Sequence, residues 1–250
     1  MMLSGAEIER YLARIHYRGA RQPTAEVLSE LQFSHLLSVP FENLSVRRGE
    51  TVQLAERWLF EKIVVRRRGG YCYELNGLFG ALLMSLGFRV SRLAARVGPT
   101  GIDFDHLALR VELEEPWLAD VGFGDSFLSP LRLDSRAAQD GGEGRSYRLE
   151  EGGDGLILFR NEGEEWKRQF SFGPRAWPLE GFEPGNRFHQ TSPLSHFTQN
   201  TVVSLATPGG RVTLSERRLI TTERRQRTER TLDESEFSAT LERVFGLSMN

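Results

Sequence analysis

The stretch Arg66-Arg67-Arg68-Gly69-Gly70-Tyr71-Cys72-Tyr73-Glu74-Leu75-Asn76 changes character in the middle. Three arginines and a glycine pair lead into a segment whose apolar residues, Leu75, Leu78, Phe79, Leu82 and Leu83, recur at helical spacing. A helix is therefore expected to begin at Cys72 and to stop at Gly87, a natural C-terminal cap. Beyond Gly87 the period changes from helical to two. Leu107, Leu109, Val111 and Leu113 alternate with Ala108, Arg110 and Glu112, as in a half-buried strand. The chain thus divides at this point into a helical part and a β part.

Upstream, the pattern is helical. Ser4 and Glu7 form a capping-box pair before Ile8, Tyr11, Leu12 and Ile15. Thr24 opens a segment with Val27, Leu28 and Leu31, and Pro40 ends it. Residues 55–65, with Trp58, Leu59 and Ile63 inward, make a third helix. Downstream, strands are expected at 117–121, 146–150, 156–160 and 166–172, separated by turns such as Gly152-Gly153-Asp154-Gly155. This is an antiparallel meander curled into a barrel or a strongly bent sheet. Residues 182–195 show little periodicity and read as an irregular connection. Residues 201–206 and 211–214 form a hairpin joined by 218–222, and 232–245 make a last helix. The mixed charges of residues 223–230 read as a solvated turn.

Composition narrows the function. The 250 residues are 39% apolar and 26% charged, enough for a sizeable core and unlike a disordered or collagenous chain. Net charge is −2, which argues against a nucleic-acid partner. Only Lys62 and Lys167 are lysines, so nearly all of the basic residues are arginine, a bias that genome composition alone can produce. No apolar run is long enough to span a bilayer, and the first residues lack the pattern of a signal peptide, so a cytoplasmic protein is expected. Cys72 is the single cysteine, which excludes an internal disulfide and a four-cysteine zinc site. No metal is expected.

At a helix start, Cys72 faces unpaired N–H groups and the positive end of the helix dipole, both of which favour thiolate. Gly69 and Gly70 offer space and N–H donors for a developing oxyanion. A buried structural cysteine is the competing reading. A cysteine nucleophile needs a base, and the base an orienting acceptor. Of five histidines, His16 and His35 lie in or near helical segments without an acidic neighbour, and His189 and His196 lie in or beside the irregular stretch. His106 opens the alternating strand, and Asp120 ends its neighbour, where an apolar setting demands a partner for a carboxylate. The register poses a difficulty. A two-residue hairpin at Glu114-Glu115 sets Leu113 opposite Pro116 and His106 opposite Phe123, leaving Asp120 on the other face. Contact then needs a bulge or an irregular strand end.

These residues together resemble the arylamine N-acetyltransferase family. Pro40-Phe41-Glu42-Asn43-Leu44 is similar to its early motif, and residues 68–76 to its nucleophile motif. Asp105-His106-Leu107 and Asp120-Val121-Gly122-Phe123-Gly124 are similar to its other two triad segments. Thr191-Ser192-Pro193 with Phe197, then Thr207-Pro208-Gly209-Gly210 and Phe245-Gly246-Leu247, extend the likeness over nearly the whole chain. The resemblance implies a triad of Cys72, His106 and Asp120. It implies an α+β fold with a cysteine-protease-like core: a helical bundle over 1–87, an antiparallel β-barrel over 88–190 and an α/β lid over 191–250. It also implies acetyl-coenzyme A as co-substrate and an arylamine or hydrazine as acceptor, with Phe41 and Phe123 lining the acceptor pocket and Thr100, Gly101 and Gly124 contacting coenzyme A. Thr100-Gly101 sits further from His106 than in some relatives, and the interdomain insertion of some eukaryotic members is absent. The same triad would serve an amide synthase or a hydrolase of the papain or transglutaminase type. A non-catalytic binding module with a structural Cys72 is a third alternative.

Overall fold

A computed structural model describes residues 2–153, 155–224 and 226–248. Asp154 of the glycine-rich turn and Arg225 of the charge run lie outside the described residues.

Helix α1 (Gly5–Arg14) starts at the expected capping box, in which Ser4 N–H donates to Glu7 Oε2 at 2.8 Å. It buries Tyr11 and Leu12. Helix α2 (Ala25–Ser38) is capped by Thr24, whose Oγ1 accepts from Val27 N–H at 3.3 Å, and buries Val27, Leu28 and Leu31. A short strand β1 (Phe41–Glu42) and helix α3 (Leu44–Arg47) follow. The expected third helix is divided into α4 (Glu56–Phe60) and a π-helical turn (Glu61–Val65). The buried Arg14 guanidinium donates to the Ile63 carbonyl at 3.1 Å and to the Ser38 carbonyl at 2.6 Å, tying α1 to this turn and to the end of α2. Helix α5 (Cys72–Ser85) is the centre of the molecule. Its expected apolar stripe is buried, and so is every residue from Cys72 to Leu83, because the other face is covered as well. Gly77 brings it against Leu59 and Leu179, and Gly80 brings it against Leu109.

Eight antiparallel strands come next: β2 (Arg89–Val97), β3 (His106–Glu112), β4 (Pro116–Ala119), β5 (Leu131–Arg132), β6 (Gln139–Asp140), β7 (Ser146–Gly152), β8 (Gly155–Asn161) and β9 (Trp166–Trp177). Their order is β5-β4-β3-β2-β9-β8-β7-β6. The two edges are stitched by one side chain. Gln139 accepts from Arg132 N–H at 2.6 Å and donates to the Arg132 carbonyl at 3.0 Å, so the sheet is a nearly closed barrel. Inside it pack Leu93, Leu118, Phe127, Tyr147, Leu158 and Phe170.

The expected irregular connection at 182–195 contains regular structure. A 3₁₀ turn (Leu179–Phe182) leads into α6 (Glu183–Thr191), which uses Pro184 in its first turn, where a missing N–H costs nothing. Then come α7 (His196–Gln199), the strands β10 (Val202–Thr207), β11 (Gly210–Ser215) and β12 (Arg218–Glu223), strand β13 (Gln226–Thr231) and helix α8 (Glu234–Phe245). Strand β13 corrects the reading of 223–230 as a turn. Its residues are all exposed and charged or polar, so no apolar alternation marks it, and backbone pairing with β12 alone makes it a strand. The C-terminal sheet runs β1-β10-β11-β12-β13 and so takes its first strand from the helical part of the chain. Helix α8 packs Leu241 and Phe245 against Val203 and Leu214 of this sheet.

Candidate active site

Cys72 is the first residue of α5 and is 4% exposed. The loop before it is held by a buried ionic cluster. Glu42 N–H donates to the Gly70 carbonyl at 2.8 Å, Arg68 reaches Glu42 Oε1 at 3.0 Å, and Lys62 Nζ lies 2.7 Å from Glu74 Oε1. Glu74 turns back to accept from Tyr71 N–H at 3.1 Å, fixing the first turn of α5. Burial pushes the Glu74 carboxyl up, with Lys62 working against it. Burial likewise opposes ionisation of Glu42, but Lys62 and Arg68 overcome it and hold that carboxyl below its usual range. The space at Gly69 is taken by the Pro40 carbonyl, 2.0 Å from where a Cβ would stand, and that at Gly70 by the Glu74 side chain. The glycines therefore serve this close packing, since a side chain at either would collide with it.

His106 opens β3 and is 2% exposed. Its Nε2 lies 2.6 Å from Asp120 Oδ2. The expected register conflict is resolved by the turn. Leu109 pairs with Ala119 and Glu112 with Pro116, so Leu113-Glu114-Glu115 forms a three-residue connection. Carried forward, this register places Asp120 opposite Ala108, two residues from His106 and on the same face. No bulge between β3 and β4 is needed, and the ladder ends at Ala119, immediately before Asp120.

Asp120 is 1% exposed and fully engaged. Oδ1 accepts from Asn76 Nδ2 and Gly122 N–H, each at 2.8 Å, and its own N–H donates to Gln32 Oε1 at 2.9 Å. Asn76 also donates to the Leu107 carbonyl at 2.6 Å and accepts from Val121 N–H at 2.8 Å. One side chain of α5 therefore ties both strands to the helix that begins with Cys72. Asn76 and Gln32 were not among the residues singled out from sequence. Asn76 stands one helical turn after Cys72 and shares its face, which is the signal that could have found it.

Burial lowers the affinity of the His106 imidazole for a proton, but the adjoining Asp120 carboxylate, its hydrogen bond and the Cys72 thiol outweigh this and raise it to about 10. The thiol itself lies 4.0 Å from the Asp105 carbonyl oxygen. Gly122 packs against Cys72, where a Cβ would come within 2.8 Å of Cys72 Cα.

Phe123 stands edge-on to His106, with ring centroids 5.1 Å apart, and packs on Phe170 at 5.2 Å. Phe41 packs on Phe197 at 5.9 Å and over Gly124, whose φ of +88° suits glycine. Thr100 and Gly101 lie on the β2–β3 connection, where Gly101 packs against Val97 and the Asp105 carboxylate. Among the other histidines, His35 is buried, with neither ring nitrogen hydrogen-bonded, and His189 is buried beside Asp105. No group of three or more His, Cys, Asp or Glu among the described residues is placed to hold a metal ion. No helix among them is long and apolar enough to cross a membrane.

A buried thiol at a helix start lies beside an imidazole–carboxylate pair carried at the ends of two barrel strands, which puts a thiol, a base and an orienting carboxylate in one place. Comparison with known proteins gives the family. The family model for N-acetyltransferase matches residues 24–250. The Salmonella typhimurium arylamine N-acetyltransferase / N-hydroxyarylamine O-acetyltransferase is 37% identical over 215 residues, covering 83% of this chain and 76% of that protein. The solved structure of the Salmonella typhimurium arylamine N-acetyltransferase superposes with a TM-score of 0.93 at 32% identity, covering 100% of this chain and 93% of that one. That of the Mycobacterium marinum arylamine N-acetyltransferase in complex with CoA superposes with a TM-score of 0.90 at 36% identity, covering 96% and 92%. The chain belongs to the arylamine N-acetyltransferase family.

Proposed function

We propose that the enzyme transfers acetyl from acetyl-coenzyme A to the nitrogen of an arylamine or arylhydrazine by a ping-pong route through an acetyl-Cys72 thioester. The observation that carries this reading is the 2.6 Å contact of His106 with Asp120 at the start of the nucleophile helix. In the first half-reaction Cys72 Sγ attacks the acetyl carbonyl, and the proton held by His106 leaves with coenzyme A. In the second the amine attacks acetyl-Cys72, its proton passes to His106, and the Cys72 sulfur is the leaving group. Asp120 orients the ring and stabilises the imidazolium.

Phe41 and Phe123 supply ring surface for a flat acceptor, and Thr100, Gly101 and Gly124 are assigned to the coenzyme A side. The division into 1–87, 88–190 and 191–250 fits this chemistry: the first unit brings the nucleophile, the second the base and its carboxylate, and the third the cover. A lone reduced thiol suits a cytoplasmic setting. The test is intact-protein mass. Mixing with acetyl-coenzyme A should add one acetyl group, an arylamine should remove it, and Cys72→Ala should not acquire it. An acetyl-enzyme lost to water as fast as to the amine would instead identify a hydrolase.

A further inference from the structure

His189 is buried, and its ring is held between two polar partners. Nδ1 lies 3.0 Å from Ser195 Oγ, and Nε2 lies 3.1 Å from Asp105 Oδ1. Ser195 Oγ already accepts from Phe197 N–H at 3.2 Å, so the hydroxyl proton is free for Nδ1. With Nδ1 accepting that proton, Nε2 carries a hydrogen toward the Asp105 carboxylate. The pair lies off the line of a full hydrogen bond and acts as a close electrostatic contact. Aromatic contacts with Phe197 at 5.1 Å and Phe188 at 5.3 Å pin the ring.

Asp105 is the residue before His106, and its carbonyl is the atom facing the Cys72 thiol. Its other carboxylate oxygen takes Val97 N–H at 3.4 Å. Phe104, just upstream, has a φ of +62°, unusual for a bulky residue. Its carbonyl is bound by the Tyr73 hydroxyl, and its ring is wedged edge-on to Trp177 and Phe182. The approach to His106 is thus fixed by β2, by α5 and, through His189, by α6.

We propose that His189 is a positioning residue for acyl transfer: by pairing with Asp105 it fixes both the carbonyl against the Cys72 thiol and the strand start that carries His106. This rests on the reading of Cys72 and His106 as the reacting pair. Without His189 the Asp105 carboxylate keeps, among the described residues, the long Val97 amide bond and its packing on Gly101, and its Oδ1 loses the partner that fixes its direction.

The experiment is single-turnover acetylation of Cys72 in full-length protein, with steady-state kinetics on an aniline alongside. His189→Leu keeps the apolar contacts and removes both polar ones. It should slow acetylation about tenfold or more, the scale of a misplaced reacting group, with KM for the amine within about twofold. His189→Gln offers Asp105 an N–H again and should recover to within about threefold of wild type. An unaffected His189→Leu, or a His189→Gln as slow as His189→Leu, overturns the proposal. Should His189→Leu not fold, Asp105→Ala takes its place: the same slowing is expected, and a wild-type rate overturns the proposal. A wild-type protein that takes up no acetyl group overturns the reaction itself, a result distinct from any variant's.

Discussion

Asp120 meets His106 along a diagonal of the β3–β4 ladder, with Oδ2 2.6 Å from Nε2. The carboxylate is presented by the chain just past the last paired residue, Ala119, where it is free to gather three further hydrogen bonds. Asp120→Asn keeps the shape and removes the charge that holds the imidazolium. Acetylation of Cys72 should fall by about 10³-fold or more, measured by single turnover, and the unfolding temperature should fall as well, because the buried imidazolium loses its counter-charge.

The raised affinity of His106 for its proton has two consequences. Between pH 6.5 and about 10 the folded protein keeps a proton that the unfolded chain releases. The stabilisation is complete below 6.5 and is lost as pH rises through 10, so the stability difference between wild type and His106→Gln should shrink across that window in urea titrations. A protonated ring beside a sulfur also favours a reactive thiol over a wide pH range. Alkylation by iodoacetamide should stay within about threefold between pH 6 and 8, whereas a free thiol loses about tenfold per unit below its pKa. A profile tracking a free thiol would refute the pairing.

Asn76 tests the geometry. Asn76→Ala strips partners from the Val121 N–H and the Leu107 carbonyl, each buried, and should cost about 1–3 kcal/mol per group. Asn76→Asp sets a second carboxylate against Asp120 and should reduce acetylation more than Asn76→Ala does, although it is the smaller change in shape. Equal activities in the two variants would deny Asn76 its link to Asp120.

Lys62 faces both buried carboxylates, Glu74 at 2.7 Å and Glu42 at 3.9 Å. Lys62→Met removes the charge and leaves the apolar stem. It should destabilise by about 3–5 kcal/mol, because breaking a buried pair strands its partner. The loss should be partly recovered in Lys62→Met/Glu74→Gln, read by thermal unfolding.

Phe123 stands against His106 and belongs to the acceptor surface proposed above, so replacement by a small polar residue should disturb both half-reactions. Phe123→Leu preserves bulk and loses the ring. It should weaken an aniline's KM by about 2- to 12-fold, equivalent to about 0.5–1.5 kcal/mol, while Cys72 acetylation stays within about twofold. Equal losses in both would make Phe123 a wall for His106 alone.

Residues whose role is written in periodicity were legible in the sequence: the stripe of α5, the alternation of β3 and the cap of α1 all appear where they were expected. Cys72 stood out by its place at a helix start after two glycines, His106 by opening the alternating strand and Asp120 as a carboxylate in an apolar setting, and the family resemblance joined them as a triad. What escaped depends on contacts distant in sequence. Strand β13 has no apolar face to betray it, and α6 hides behind Pro184 and Gly185. The parity of Asp120 turned on one residue of turn length, which local composition leaves undetermined. Gln32 reaches Asp120 from α2, and His189 reaches Asp105 from α6, and neither carries a local mark.

Strand β1 is bonded on one side to the last sheet through β10 and on the other to Gly70, two residues before Cys72. A ribosome must therefore release the final fifth of the chain before the loop ahead of Cys72 acquires its outer support. Helix formation and thiol reactivity should separate in time during refolding. Far-UV ellipticity from α1, α2 and α5 should recover first, with rapid labelling of Cys72 arriving only when β10 docks. An incomplete chain, lacking β10, should therefore label at Cys72 only slowly, and a chain that labels rapidly before β10 docks would sever the thiol from this sheet.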